Sequence, residues 1–80
     1  IVLPDDCYQG VARLAAAGVE RGRWEVRRLP VGDTDGWIAA CAESDLVWLE
    51  SPSNPLLAVA EIDTICAAPR KPGCIVAVDN

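Results

Sequence analysis

The 80-residue chain contains no histidine, no methionine and no phenylalanine, and only one tyrosine and one lysine. Without histidine, this stretch can build neither a His-ligated metal site nor a Ser-His or Cys-His nucleophile system. No apolar run approaches the roughly 18 to 20 residues that a membrane span needs, and no basic-then-apolar leader opens the chain. Basic side chains are scarce: seven Lys and Arg stand against 12 Asp and Glu, giving a formal charge of −5. That is the wrong sign for an electrostatic hold on nucleic acid. Neither GxGxxG nor GxxxxGK with a following Ser or Thr occurs, so no dinucleotide fingerprint or phosphate loop lies inside the stretch.

What is present is globular. The chain is 51% hydrophobic and 24% charged, which argues against disorder. A chain of this length holds at most one small domain, and alone it would bury only about 60% of its unfolded surface. It opens at Ile1 in the middle of an apolar run, the expectation for a segment whose neighbours in sequence lie outside it. Four cysteines, Cys7, Cys41, Cys66 and Cys74, show no close CxxC pairing. Cys41 and Cys66 sit in apolar helix-like stretches and Cys74 opens an apolar strand, so they read as reduced, buried small hydrophobes rather than zinc ligands or disulfides. Cytoplasm is the compartment that fits.

Apolar residues alternate between two periods along the chain. Ile1 to Leu3 ends a strand at Pro4. Val11, Leu14, Ala15 and Val19 follow helical spacing from about Tyr8, with Gly18 or Gly22 as the stop. Trp24, Val26 and Arg28 alternate as an edge strand. Asp33 or Thr34 can cap a second helix that turns Trp37, Ile38 and Cys41 to one face. Leu46 to Leu49 is continuously apolar, as in a strand covered on both faces, and Glu50 to Pro55 reads as a loop. Val59, Ile62, Ile65 and Cys66 mark a third helix, stopped by Pro69 and the Arg70-Lys71-Pro72-Gly73 turn. Ile75 to Val78 is a further buried-type strand. The order strand, helix, strand, helix, strand, helix, strand predicts an α/β fold: a parallel sheet with helices on its faces and right-handed crossovers.

In open parallel sheets, ligands bind beyond the carboxyl ends of the strands. That rule selects Pro4 to Tyr8, Glu50 to Asn54, and Asp79 with Asn80. The polar groups there are Asp5, Asp6, Glu50, Ser51, Asn54, Asp79 and Asn80. Asp79 directly follows four apolar residues, which sets a carboxylate at the ligand edge or makes it the cap of a following turn. Asn54 before Pro55 can equally start a turn, and Tyr8 can pack on the sheet.

These stretches resemble the Cys/Met-metabolism enzymes that use pyridoxal phosphate. Leu3-Pro4-Asp5-Asp6-Cys7-Tyr8, with Gly10 and Arg13-Leu14, is similar to that family's PDDxYGGTxRL segment. Leu46 to Leu56 resembles its LVWLESPTNPLL, and Ile75 to Asn80 resembles the start of its VVVDNTF. The three blocks agree in order and spacing and span essentially the whole chain. The resemblance implies a fold-type I, aspartate aminotransferase-like architecture, with residues 1–80 forming part of the large cofactor-binding domain, truncated at both ends. It implies pyridoxal 5'-phosphate as cofactor and a small amino-acid substrate. The reaction would be elimination or replacement of cystathionine γ-lyase or γ-synthase type, run by a homotetramer. Asp79 would then pair with the pyridine nitrogen and Asn54 would contact the phenolic oxygen. Tyr8 would stack on the ring and, as the candidate catalytic residue, assist proton transfer. Glu50 would stand behind these residues.

One departure is visible: the family's Gly-Gly-Thr after the tyrosine is Gln9-Gly10-Val11 here. The lysine that binds the cofactor covalently lies beyond Asp79 in the family. Lys71, in the Pro-Gly turn, does not match it and reads as solvated surface charge. The isolated stretch is therefore expected to be inactive. On the residues alone, two other classes stay open: a small non-catalytic α/β ligand-binding module and a disulfide-stapled secreted domain.

Overall fold

The computed structural model describes residues 1–50 and 59–79, with nothing said of the side chains at 59 and 60. The elements are β1 (Val2–Pro4), α1 (Gln9–Glu20), β2 (Arg27–Leu29), α2 (Thr34–Glu43), β3 (Leu46–Glu50), α3 (Val59–Ala67) and β4 (Ile75–Asp79). The four strands form one sheet in the order β2-β1-β3-β4, every pair parallel. This is the α/β architecture that the alternating periods predict.

The core lies on the face carrying α2 and α3. Val2, Val47 and Leu49 of the sheet meet Trp37, Ala40 and Cys41 of α2, Ile65 of α3 and Cys74. Trp37 is the largest side chain in it, and its indole N–H is satisfied by the Pro30 carbonyl at 2.9 Å. Asp33 caps α2 by accepting the Gly36 N–H at 3.1 Å, satisfying one of the orphan donors of the first turn. Strand side chains alternate between faces. Leu3, Trp48 and Glu50 therefore take the opposite face, on the side of α1, where Leu3 and Ala15 are buried.

Two local expectations are corrected and one pair of alternatives is settled. Trp24 is not a strand residue: β2 starts at Arg27, and the Trp24 indole turns back onto α1 and donates to the Ala15 carbonyl at 2.9 Å. Of the two glycines that could stop α1, the stop falls at Gly22, whose φ is +67, while Gly18 lies buried inside the helix, where a Cβ would collide with the Trp24 ring. The buried stripe of α1 is consequently Ala15 and Gly18, while Leu14 and Val19 face outward. Finally, Ile75 to Val78 are not buried as a run: β4 is an outer strand among the described residues, and Ile75 is 62% exposed.

All four cysteines are free. Cys41 and Cys74 are buried, whereas Cys7 and Cys66 are only half-buried, so the small-hydrophobe reading holds fully for two of the four. Lys71 is indeed exposed, but it is ion-paired with Asp45 at 2.8 Å. That pair ties the turn before β4 to the turn before β3.

Candidate functional site

The strand order fixes where a ligand can enter. β1 and β3 are neighbours, yet the chain leaves β1 towards β2 and leaves β3 towards β4. A crevice therefore opens between their carboxyl ends, the topological switch point of an open α/β sheet. The segment beyond β1 is tied down on its outer side: Asp5 donates its N–H to the Leu29 carbonyl at 2.9 Å, and Cys7 turns back to Pro4 at 3.3 Å. Asp5 and Asp6 are exposed there. This turn delivers Tyr8 to the crevice as the N-cap residue of α1.

Glu50 crosses the crevice. It is the last residue of β3, not the first of a loop, and only 5% of it is exposed. Its two carboxylate oxygens share the backbone N–H of Tyr8 at 3.0 and 3.2 Å. The second oxygen also accepts the Trp48 indole N–H at 3.3 Å. The start of α1 has no capping side chain of its own and no acidic residue in its first turn. Glu50 thus supplies, from 42 residues away, the negative charge that a helix N-terminus favours.

Tyr8 itself is 72% exposed at this edge. Its ring lies against Gly10: a Cβ on that glycine would stand 2.9 Å from Tyr8 Cε1. Of the two positions where the family carries glycine, only the second is thereby constrained. Gln9, at the first, is simply exposed.

Asp79 is the final residue of β4 and is exposed. In the β3–β4 register it stands opposite Glu50, so the two carboxylates share one face of the sheet. The structure thus brings Tyr8, Glu50 and Asp79 to one edge, with Glu50 held inward and Tyr8 and Asp79 turned to solvent. Ser51, Asn54 and Asn80 lie outside the described residues.

The donor set suits the cofactor that the resemblance implies. An open aromatic face and an open carboxylate stand at the ligand edge, and glycine beneath the aromatic ring leaves it room. Cys7, next to Tyr8, is a half-buried free thiol. Burial raises its thiol above the ordinary range, opposed by Arg28 and reinforced by Glu50 and Asp6. A hollow of about 880 Å³ lies at the opposite end, between Val2, Trp24, Arg27 and Leu46. It sits at the amino ends of the strands, where open parallel sheets do not bind their ligands.

Sequence reasoning placed Tyr8 and Asp79 correctly at the edge but did not find the Glu50–Tyr8 link or the role of Gly10. A signal was available for one of them. A lone carboxylate closing the apolar run Leu46 to Leu49 needs a buried partner, and an uncapped helix start nearby needs an acceptor.

Comparison with known proteins places the chain in a family. The family model for Cys/Met metabolism PLP-dependent enzymes matches residues 1–80. Cystathionine γ-synthase of Escherichia coli (strain K12) is 44% identical over 81 residues, covering 100% of this chain and 21% of its own length. Cystathionine γ-synthase of Mycobacterium leprae (strain TN) is 35% identical, again over 100% of this chain and 21% of its own. The chloroplastic cystathionine β-lyase of Mimosa pudica is 36% identical over 100% of this chain and 18% of its own. The chain spans about a fifth of the length of the curated relatives it matches. No solved structure matches it significantly. With the whole chain covered by the family model, it belongs to the Cys/Met-metabolism, pyridoxal-phosphate-dependent enzymes.

Proposed function

We propose that residues 1–80 form part of the cofactor-binding large domain of a transsulfuration enzyme acting on sulfur amino acids. The reaction is elimination or replacement of the cystathionine γ-lyase or γ-synthase type. The observation that carries this reading is the gathering of Tyr8, Glu50 and Asp79 at the carboxyl edge of one parallel sheet, in a chain of this family. When bound, pyridoxal phosphate supplies an electron-withdrawing ring that delocalises the electron pair left as the substrate loses its α-proton.

The chain's own residues then have distinct tasks. Asp79 holds a proton at the pyridine nitrogen, and its exposed place at the end of β4 leaves that carboxylate open to a ligand. Tyr8 lays its ring on the cofactor and carries a proton on its hydroxyl to or from the substrate. Asn54, matched through the family's motif, contacts the phenolic oxygen. We further propose a homotetramer working in the cytoplasm. The cytoplasmic assignment is supported by free thiols at all four cysteines and by the absence, among the described residues, of a helix long and apolar enough to cross a membrane. The homotetramer rests on the family likeness.

The test is made on the full-length enzyme. Purified protein should carry pyridoxal phosphate, and free thiol should change with time when it is given its substrates. Elimination from cystathionine releases a thiol, whereas replacement by cysteine consumes one. Protein that binds no pyridoxal phosphate, or leaves thiol constant in both assays, refutes the reading.

A further inference from the structure

We infer that Glu50 is a positioning residue for Tyr8, and that Gly10 completes the seat: the carboxylate fixes the tyrosine's backbone while the bare glycine backbone receives its ring. The inference rests on the proposed role of Tyr8 at the cofactor and adds the residues through which that role is exercised.

Four observations meet here. A carboxylate that is 5% exposed at the end of a strand is an uncommon place for a charge, and such groups are retained only with hydrogen-bond partners. Both oxygens of Glu50 are aimed at the same N–H, that of Tyr8, and one is steadied by Trp48. Tyr8 meanwhile has extended backbone angles, φ −53 and ψ 137, at the residue where the chain turns into α1. α1 holds the Tyr8 carbonyl, which accepts the Ala12 N–H at 3.1 Å, and Glu50 holds the N–H on its other side. The tyrosine's Cα–Cβ direction, and hence the line of the phenol, follows from where that N–H is pinned. The ring's second degree of freedom is limited by contact with Gly10.

Helix stability alone does not explain the arrangement. Gly10 lies exposed in the first turn of α1, where alanine would make the better helix former. Glycine is the residue that spares the ring, since a methyl group would stand 2.9 Å from Tyr8 Cε1 and displace it.

The test uses the full-length holoenzyme in variants Glu50→Gln, Glu50→Leu and Gly10→Ala, each in the Tyr8 and the Tyr8→Phe backgrounds. Kinetics are read together with the circular dichroism of the bound cofactor and the thermal midpoint. Misplacing a reacting group by an ångström can cost about a hundredfold. Glu50→Leu is therefore expected to lower kcat by about ten- to a hundredfold, with KM changed less than about threefold. Glu50→Gln, which keeps an oxygen for the Tyr8 N–H, should recover a large part of the loss. Gly10→Ala should lower kcat and alter the cofactor's dichroism while the thermal midpoint holds or rises, and it keeps the inference testable if Glu50→Leu fails to fold. In the Tyr8→Phe background the kcat effects of all three should shrink to about twofold. Equal losses in both backgrounds, with unchanged dichroism, overturn the inference while leaving the site reading intact. Full activity in Tyr8→Phe overturns both, and identifies the site reading as the one at fault.

Discussion

The backbone N–H of Tyr8 and the carboxylate of Glu50 lie 42 residues apart in sequence and meet at 3.0 and 3.2 Å across the mouth of the sheet. One contact joins the end of β3 to the start of α1, the two walls of the switch-point crevice. A charge buried at that seam gives the edge a fixed geometry that exposed residues alone do not provide.

Tyr8→Phe keeps the aromatic face and removes only the hydroxyl. In the full-length enzyme it is expected to lower kcat by about a hundredfold, the scale of one positioned proton-transfer group, with cofactor content unchanged. Loss of bound cofactor instead would assign Tyr8 to binding alone.

Gly18 and Gly10 should behave in opposite ways. A side chain at Gly18 enters the Trp24 indole, which is anchored through its hydrogen bond to Ala15 and cannot yield cheaply. Gly18→Leu is expected to destabilise by about 1–3 kcal/mol, as overpacking does, and to lower the thermal midpoint of the full-length enzyme. The outcome that contradicts this packing is a midpoint at or above that of the parent.

The pattern of the sequence disclosed some of this and concealed the rest. Four apolar residues followed by Asp79 placed that carboxylate at a strand end, and the family motif independently selected Tyr8. The core residues Trp37, Cys41, Val47 and Leu49 were legible from their spacing. Trp24 misled because short alternation looks like a strand, whereas its indole found a better partner in the helix before it. The choice between Gly18 and Gly22 as the helix stop stayed open because glycine serves both as helix stop and as close-packing residue, and only the tertiary neighbour decides which. The Glu50 link went unread because periodicity reports local structure and this bond is long-range; only the lone carboxylate at the end of an apolar run hinted at it.

Cys41 should be the slow thiol. It is wholly buried, burial pushes its pKa up, and its sulfur faces the Ile65 carbonyl at 3.9 Å. Alkylation at neutral pH should spare it in the folded enzyme and label it readily after denaturation. Peptide mapping by mass spectrometry checks this, and rapid labelling in the native protein would remove Cys41 from the core.

The Lys71–Asp45 pair should matter only slightly, since both groups are exposed. Their hydrogen bond and charge lower the pKa of Asp45 and raise that of Lys71. The Asp45 contribution is therefore present above the ordinary aspartate pKa and is lost as pH falls through the lowered value. The Lys71 contribution is complete below its ordinary pKa and fades as pH rises through the raised one. Asp45→Asn should leave activity unchanged and slightly lower the thermal midpoint near neutral pH, by less in high salt. A large, salt-independent drop would mean that the pair is more than a surface contact.

The most direct measurement is Asp79→Ala in the full-length enzyme, with cofactor content, folding and kcat followed together. Removing the carboxylate leaves the pyridine nitrogen without its partner. A shift of about three pKa units there is worth roughly 4 kcal/mol, or about a thousandfold in rate. The expected result is a folded enzyme whose kcat falls by about a thousandfold or more, a larger loss than in Tyr8→Phe. Near-normal kcat with cofactor bound would contradict the assignment of Asp79, and with it the placing of the cofactor at this edge of the sheet.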